Sequence, residues 1–538
     1  MRGRHFILLL GFALTVGLGY WLAMSATPRK VRSVGETQTP DKPQRQTLVD
    51  DKAPKFRSGE RPPLYRGDDE AAANGALPGQ RSLIFKDKAA LEDFLRRAGN
   101  RVKIMGRLDA LNALRVGFLN PDDLASLLDG TEQESLVFPV DVPVIGNGTA
   151  QPGAVSLGAG LLAWLGIQGD NSAWGTGVRI AILDTGVTAS SAFTSRIQSI
   201  NLVDLPADPT AQSGHATGVA SMIIGSNSLT PGVAPGAEIL SVRIANDLGQ
   251  SDSFLLSQGI IAAVDARVQV INISMGSIGD SGLVRSAIEY ARAAGVLIVA
   301  AAGNNGIDRV SYPAANEGVI AVGAVDAMGN HLDFSNTGTQ VDISGPGFGV
   351  NAAWTGDQAA AVSGTSFSSP IVVGAIAALM SQPGAARLTA QQAYNLLTSY
   401  LNDSGAAGTD SAVGAGMPDI GRVLSGKTPG IYDAAVASQR ILPPSAGYPN
   451  GQIEVLVQNR GTETLVNTNL RISTPAGMVN TNITTLPANS VQTIRVPIIN
   501  ITGRELRYDS TVSLSGGLRD SKPTNDRRVE TYVPAAGN

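Results

Sequence analysis

Three residues far apart in the chain, Asp184, His215 and Ser366, are of the types needed for nucleophilic acyl transfer. A serine hydroxyl becomes a nucleophile when an imidazole takes its proton, and a carboxylate holds that imidazole in one tautomer. Asp184 ends an apolar run and precedes a glycine turn, while His215 and Ser366 each stand near the start of a predicted helix. Together the three residues predict a triad for acyl transfer.

Each of these residues also has a purely structural interpretation. Asp184 could close an Asx turn, His215 could be a surface or capping histidine, and Ser366 could cap the helix predicted from Pro370 onward. His331, the other histidine of this region, lacks comparable surroundings. We favour the triad because all three residues occur together and in one order, Asp then His then Ser.

The sequence around these residues resembles that of subtilisin-like serine proteases. The Asp-His-Ser order is that of the subtilisin group, and it differs from the orders of trypsin-like proteases and α/β-hydrolases. The likeness covers residues 82–422 and is strongest in Asp184-Thr185-Gly186, in Gly214-His215-Ala216-Thr217 and in Gly364-Thr365-Ser366-x-x-x-Pro370. It implies a serine-type endopeptidase with an α/β fold, in which a mostly parallel sheet carries helices on both faces.

The resemblance also implies further site residues. Asn304 aligns with the asparagine that donates to the oxyanion, and the Ser366 N–H would be the second donor. The segments around Gly249 and Gly276 align with those that flank a bound substrate as added strands. The implied contacts of the substrate, with Ser311 at the base of the primary pocket, are Ser274, Met275, Gly276, Ala302, Gly303 and Ser311. None of them is charged, so we expect an apolar or aromatic side chain at P1.

The chain departs from the family pattern just after the predicted catalytic histidine. The family usually has Gly-His-Gly-Thr-His, whereas here Ala216 replaces the second glycine and Gly218 replaces the second histidine. A glycine inside a helix costs up to about 1 kcal/mol relative to alanine. We therefore expect a change in local rigidity and cleft shape, and no change in reaction class.

Composition excludes several other kinds of site. The chain has 538 residues, a formal net charge of −4 and 16% charged residues, so no basic field favours nucleic acid. It has no cysteine, which excludes disulfides, thiolate metal sites and a cysteine nucleophile. Its histidines are His5, His215 and His331, too few for a multi-histidine zinc site. We expect no cofactor and assign no metal ligand; structural calcium, common among relatives, stays open.

The N-terminal region is interpreted as an export signal followed by a linker. Basic residues precede an apolar run from Phe6 to Met24, which as a helix would be about 28 Å long, close to the roughly 30 Å hydrocarbon core. Residues 1–26 are therefore a signal peptide or a signal anchor that tethers the protein to the membrane. Either way we expect an extracytoplasmic protein that is secreted, periplasmic or membrane-anchored. Residues 27–80, rich in Pro, Gly and charge, predict a disordered linker.

Residues 81–145 show the pattern β-α-β-β-α-β, which is the ferredoxin-like α+β unit. The last strand is predicted over Ser135 to Val142, and Asn120-Pro121 begins the second helix. Placed before the triad, this unit resembles the propeptide of subtilisin-like proteases, which acts as an intramolecular inhibitor and folding chaperone. The resemblance implies a cut between Val144 and Gly153.

Two further domains follow. Residues 150–426 contain buried apolar strands that alternate with helices, which indicates a parallel sheet and predicts the catalytic domain. Residues 431–535 contain short alternating strands with Gly, Pro and Asn turns, which predict an all-β sandwich. This last domain resembles an immunoglobulin-like module of the CARDB type.

The leading hypothesis is a zymogen serine endopeptidase that hydrolyses proteins or peptides through an acyl-enzyme. One alternative is a catalytically inactive subtilisin-like scaffold that binds partners through its C-terminal sandwich. A further alternative is adhesion through the sandwich, with proteolysis serving only self-processing. The four predicted catalytic groups favour activity, whereas the altered residues after His215 weakly favour the scaffold.

Overall fold

The structure is a computed structural model that describes residues 68–142, 151–203, 214–382, 387–498 and 505–532. These ranges lie in one of the two compact units of the chain, Pro63–Asn538. The apolar run Phe6 to Met24 and most of the predicted linker lie outside the described residues. Across the described ranges, no helix combines the length and apolar character needed to cross a membrane.

The first described region is a four-stranded antiparallel sheet with three α-helices. Its strand order is β2-β3-β1-β4, which fits the predicted β-α-β-β-α-β unit. Ordered structure begins before residue 81, because a short helix capped by the Asp68 carboxylate lies within the predicted linker. The elements are α1 (Asp69–Ala73), β1 (Gln80–Phe85), α2 (Lys88–Ala98), β2 (Lys103–Leu108), β3 (Ala113–Gly117), α3 (Pro121–Ala125) and β4 (Thr131–Leu136).

The last strand of this region differs from the prediction. In place of one strand over 135–142, β4 ends at Leu136 and a separate strand, β5 (Pro139–Asp141), leaves the sheet. β5 pairs with a strand of the next domain, residues 250–252. The run of β-forming residues is continuous in sequence, so only the pairing partners reveal the break.

The second region contains a seven-stranded parallel sheet, as predicted. Its order is β13-β12-β11-β10-β6-β8-β7. The edge strands β7 and β13, which mix polar and apolar residues, were not predicted. The five inner strands match the apolar runs of the sequence, which are Val178 to Leu183, Ile239 to Ile244, Val268 to Ser274, Val296 to Ala301 and Gly318 to Ala324. The strands are β6 (Arg179–Asp184), β7 (Ile197–Asn201), β8 (Glu238–Arg243), β10 (Val270–Ile273), β11 (Leu297–Ala301), β12 (Val319–Val325) and β13 (Val341–Pro346).

Helices cover both faces of this sheet. On β6, Ile180 and Ile182 pack with the helices on one face, whereas Ala181 and Leu183 pack with those on the other. Burying each large aliphatic side chain contributes about 1.5–3 kcal/mol. The first face carries α5 (Gly214–Ile224) and α8 (Thr365–Met380); the second carries α6 (Ser253–Asp265) and α7 (Gly282–Ala293). The remaining elements are α4 (Leu161–Trp164), β9 (Gln250–Asp252), β14 (Val350–Trp354), β15 (Gln358–Val362), α9 (Ala390–Thr398) and α10 (Ile420–Ser425).

The helix that carries Ser366 begins earlier than predicted. We expected it from Pro370 onward, but α8 begins at Thr365 and contains Pro370. Proline has no N–H, so it cannot donate to the carbonyl four residues earlier, which belongs to Ser366. The Ser274 hydroxyl donates to that carbonyl at 2.7 Å instead. The Ser274 hydroxyl therefore replaces the N–H that Pro370 lacks, which allows the proline to lie inside the helix.

The C-terminal region is an all-β sandwich of a three-stranded and a four-stranded sheet. Buried aliphatic residues from both sheets form its core. Its strands are β16 (Ala434–Leu442), β17 (Gln452–Asn459), β18 (Leu465–Thr474), β19 (Gly477–Leu486), β20 (Val491–Pro497), β21 (Leu506–Ser513) and β22 (Arg527–Tyr532).

The sandwich contacts the catalytic region through buried polar groups. The Arg422 guanidinium donates to the carbonyl of Leu401 at 2.8 Å and to the carbonyl of Arg460, in the sandwich, at 3.1 Å. It also donates to Asn489 Oδ1 at 2.7 Å. From the sandwich side, Gln458 Nε2 donates to the Leu401 carbonyl at 3.0 Å.

Candidate active site

The carboxyl ends of the parallel strands bring the predicted triad residues to one edge of the sheet. Asp184 is the last residue of β6 and is fully buried. His215 is the second residue of α5, and its Nδ1 lies 2.9 Å from each carboxylate oxygen of Asp184. A proton on Nδ1 then faces Asp184, and Nε2 is left free to accept a proton.

Ser366, the second residue of α8, is 2% exposed. The next residue, Phe367, has its ring 5.4 Å from the His215 ring, centre to centre, which places the imidazole beside the first turn of α8. Ser366 Oγ donates to the Ser274 carbonyl at 3.1 Å. Among the described residues no hydrogen bond joins Ser366 to His215. The contact between Asp184 and His215 is thus formed, whereas the Ser366 hydroxyl donates to the Ser274 carbonyl.

Asn304 follows β11 by three residues, and of its two amide atoms the oxygen has hydrogen-bond partners whereas the nitrogen has none. Its Oδ1 accepts from both the N–H and the hydroxyl of Thr365, each at 2.8 Å. Its Nδ2 is buried and has no hydrogen-bond partner. A buried donor without a partner costs about 1–3 kcal/mol, so it marks a place where an acceptor is expected. Thr365, which sequence analysis did not single out, holds this amide next to Ser366.

The predicted substrate-binding residues come together around Ser311. The Ser311 N–H donates to the Ala302 carbonyl at 2.9 Å, and Ser277 and Tyr312 exchange two backbone hydrogen bonds. A Cβ built on Gly303 would lie 2.5 Å from Ser311 Oγ, and one built on Gly276 would lie 3.1 Å from Ser311 Cβ. Ser311 therefore lies between the walls formed by Ser274-Met275-Gly276 and Ala302-Gly303.

An extended segment of the chain itself lies between the segments around Gly249 and Gly276. Asp141 and Gly276 exchange two backbone hydrogen bonds at 3.0 Å, and the Val142 N–H donates to the Gly249 carbonyl at 2.8 Å. On the same side, β5 pairs antiparallel with β9. The tail of the N-terminal region is thus the middle strand of three.

Similarity to known proteins shows the family of this chain. A profile of the subtilase family matches residues 175–416. The thermostable alkaline protease of Halalkalibacterium halodurans is 35% identical over 252 residues, which are 46% of this chain and 68% of that protein. Subtilisin DY of Bacillus licheniformis is 32% identical over 43% of this chain and 86% of its own length.

The chain belongs to the subtilase family of serine proteases. As a subtilase it is a serine endopeptidase, and its substrates are proteins or peptides, as predicted. Among solved structures, a mutant of the protease domain of PatA is similar, with 34% identity over 48% of this chain and 97% of its own, and a TM-score of 0.44.

The departure after His215 has a packing partner in this subtilase. A Cβ built on Gly218 would lie 3.1 Å from both Phe367 Cε1 and Trp354 Cζ3. One built on Gly214 would lie 2.3 Å from Trp354 Cε2. Trp354 therefore fills the space beside α5, and a side chain at position 218 would press against the rings of Trp354 and Phe367. Sequence analysis missed Trp354, because nothing near it in the sequence marks that contact.

Asn336 is a second residue of the site that sequence analysis missed. It is fully buried, and its Nδ2 donates to Ser311 Oγ at 3.3 Å. Its Oδ1 accepts from the Asn305 N–H at 2.9 Å. Asn336 thereby holds the base of the predicted pocket and the loop after Asn304 together. No local motif could have identified it, because its partners lie about thirty residues away.

No metal chemistry is assigned to this subtilase. In the described part of the chain, no group of three or more His, Asp or Glu side chains could hold a metal ion. Calcium is also bound by backbone and amide carbonyl oxygens, so the structural calcium that the family resemblance leaves open stays a prediction.

Proposed function

We propose that this subtilase is made as a zymogen and hydrolyses peptide bonds through Asp184, His215 and Ser366. The 2.9 Å contacts between His215 Nδ1 and Asp184 support these roles. Ser366 Oγ leaves the Ser274 carbonyl by rotation about χ1, and His215 Nε2 takes its proton as Oγ attacks the scissile carbonyl. His215 returns that proton to the leaving amine, and water then releases the acyl group by the same steps.

The developing oxyanion accepts hydrogen bonds from Asn304 Nδ2 and from the Ser366 N–H. The unpartnered, buried Nδ2 supports the first role. The second role is supported by the place of Ser366 in the first turn of α8, where backbone N–H groups have no acceptor within the helix.

The observation that carries the zymogen proposal is the segment Pro139–Val142 in the cleft. Its pairing with Gly276 and β9 is that of an extended substrate added to two strands. The N-terminal region also packs on the catalytic region, since Ile84, Leu108 and Ala113 share a hydrophobic cluster with Phe254 of α6. We infer that residues 81–145 act as the propeptide. The described pairing in the cleft ends at Val142, so we place self-cleavage within residues 143–153, which extends by one residue the span from Val144 to Gly153 that the resemblance implies.

Labelling with a serine-reactive phosphonate tests the assignment of the nucleophile. We expect wild type to be labelled once and Ser366→Ala not at all. Ser363→Ala is the matched control, because Ser363 lies three residues away and its hydroxyl accepts from the Gly349 N–H. Labelling that survives in Ser366→Ala, or disappears in Ser363→Ala, would contradict the assignment.

Two further parts of the proposal rest on the sequence. We propose an extracytoplasmic location, because of the apolar run Phe6 to Met24, which acts as a signal peptide or an anchor. The sandwich is proposed to be an immunoglobulin-like module of the CARDB type, which its seven strands in two sheets support. Fractionation of cells that express the full chain tests the location: protein found only in the cytoplasm would contradict it.

A further inference from the structure

Phe138, just before β5, has its ring on the backbone of the catalytic region. A Cβ built on Gly279 would lie 2.0 Å from Phe138 Cδ1 and 2.1 Å from Cε1. Gly279 does not have a positive φ, so its backbone conformation does not require glycine. The ring occupies the place where any other side chain at 279 would begin, and Phe138 is 5% exposed.

The register of β5 gives Phe138 a position in substrate numbering. In an antiparallel pair, two steps forward on one strand correspond to two steps back on the other. A substrate residue two positions after the one opposite Gly276 therefore lies opposite Ser274, whose carbonyl accepts from Ser366 Oγ. That residue is P1. By this count Asp141 takes the P3 position, and Phe138 takes P6.

The main chain at this position is held by the catalytic region. The Phe138 N–H donates to Ser253 Oγ at 3.1 Å, and the Ser253 N–H donates to the Phe138 carbonyl at 2.9 Å. Ser253 is the first residue of α6 and is fixed by its cap, because Asp252 accepts from the N–H groups of Phe254 and Leu255. These groups remain in place when the N-terminal region departs.

The N-terminal region also contributes contacts to the ring. Ala71 and Ala76 form a small hydrophobic cluster with Phe138. Loss of residues 68–142 after processing removes this side of the site. It leaves an open surface formed by the Gly279 backbone and by Ser253, the residue that follows β9.

We propose that the cleft of the mature enzyme extends to a P6 subsite at Gly279 and Ser253, which takes an aromatic side chain of a protein substrate. The proposal rests on the proposed function, in which β5 binds as a substrate would. The subsite lacks a side chain at 279, so a flat ring can stack on the peptide backbone, and Ser253 supplies two hydrogen bonds to the main chain. Phe138 fills the subsite in the zymogen.

Internally quenched peptides test this subsite on the enzyme obtained from the full chain. The peptides share one sequence from P5 to P3′ and carry Phe, Ala or Gly at P6. We expect kcat/KM to be about fivefold to tenfold higher for Phe than for Gly, mainly through a lower KM, because the contact forms before the chemical step.

A matched variant locates the effect. Gly279→Ala, combined with Phe138→Ala so that the zymogen does not clash, is expected to cleave the Phe peptide and the Gly peptide with the same kcat/KM. Equal cleavage of all three peptides by wild type would overturn the subsite and leave the proposed function standing. A Phe preference that persists in the variant would also overturn it. If wild type cleaves no peptide and does not self-process, the proposed function and the subsite fail together.

Discussion

At the scale of single residues, Ser366 and Ser274 exchange two hydrogen bonds. Each hydroxyl donates to the other residue's carbonyl, at 3.1 Å and 2.7 Å. The pair exists because Pro370 leaves the Ser366 carbonyl without a helical donor. The proline inside the active-site helix therefore frees a carbonyl through which the helix is bonded to the wall of the substrate cleft.

Ser274→Ala is expected to lower the free energy of unfolding by about 1–3 kcal/mol, because the Ser366 carbonyl loses its donor in a buried place. Adding Pro370→Ala should recover part of that loss, since residue 370 then has an N–H for the same carbonyl. Both are measured by denaturant unfolding in a Ser366→Ala background, which prevents self-cleavage. Additive destabilisation by the two substitutions would contradict this account.

Asn304→Ala is expected to lower kcat by about 10²–10³ with little change in KM, the loss measured for such a donor in subtilisin. The reason is that Nδ2 meets an acceptor only when the oxyanion forms. Asn305→Ala is the control, because that side chain is exposed one residue away. An equal loss in both variants would indicate a general effect of the loop.

The site is predictable from sequence only where its residues lie in local motifs. A recognisable string surrounds each predicted catalytic residue: Asp184 ends a strand, Asn304 follows one, and His215 and Ser366 each lie at the start of a helix. Asn336 and Trp354 do not, because they act on residues far away in the sequence. The hydroxyl direction of Ser366 could not be predicted either, since it depends on a carbonyl brought in from another strand.

At the scale of elements, a largely buried ion pair helps to hold the N-terminal sheet on the catalytic region. Arg115 Nη1 donates to Asp252 Oδ2 at 2.8 Å, and the two side chains are 13% and 10% exposed. Asp252 also caps α6 through its other oxygen. The Asp252 carboxylate therefore keeps the α6 cap as a partner after the N-terminal region departs, whereas Arg115 loses Asp252.

Arg115→Ala is expected to shorten, by tenfold or more, the lag between self-cleavage and full activity. Loss of this charge-assisted hydrogen bond weakens the interface by about 1.5–3 kcal/mol, because the α6 cap keeps Asp252 satisfied and no unpaired charge is left behind. Peptide hydrolysis followed after dilution of the processed zymogen measures the lag. Arg107→Ala, on the same sheet, is the control, because Arg107 pairs with Glu92 and Asp109 of the N-terminal region. Equal lags in the two variants would contradict the prediction.

A strand is easiest to predict from sequence when both of its faces have the same surroundings. The inner strands of the parallel sheet are buried on both faces, so their apolar runs identify them. The edge strand β7 is half-buried and lacks such a run. The division between β4 and β5 follows from pairing with two different domains, which no local pattern contains.

At the scale of the whole molecule, the sandwich is joined to the catalytic region through polar groups that are themselves buried. Asp403 lies at this interface, 5% exposed, where its N–H donates to Gln458 Oε1 at 3.1 Å. Its Oδ2 accepts from the Gly408 N–H, while its Oδ1 is buried without a partner. Burial raises the pKa of Asp403 to about 6, although the Gly408 and Ser404 N–H groups and Arg460 oppose that rise; Asp410 adds to it.

Because its pKa is raised, Asp403 lowers the free energy of unfolding by an amount that depends on pH. The folded protein binds the proton more tightly than the unfolded chain, so the contribution of this group to stability falls as pH rises from about 4 through 6. Asp403→Asn is expected to gain on the order of 2 kcal/mol relative to wild type between pH 4.5 and pH 8. Unfolding is measured at both pH values in the Ser366→Ala background, with the exposed Asp129→Asn as control. A pH-independent difference would contradict the prediction.

Intact mass spectrometry shows whether Ser366 processes its own zymogen. Wild type and Ser366→Ala, both without the N-terminal apolar run, are purified in parallel. We predict that wild type separates into two fragments cut within residues 143–153, while Ser366→Ala keeps one intact mass. Two folded, uncut chains, or the same cut in both, would contradict the account.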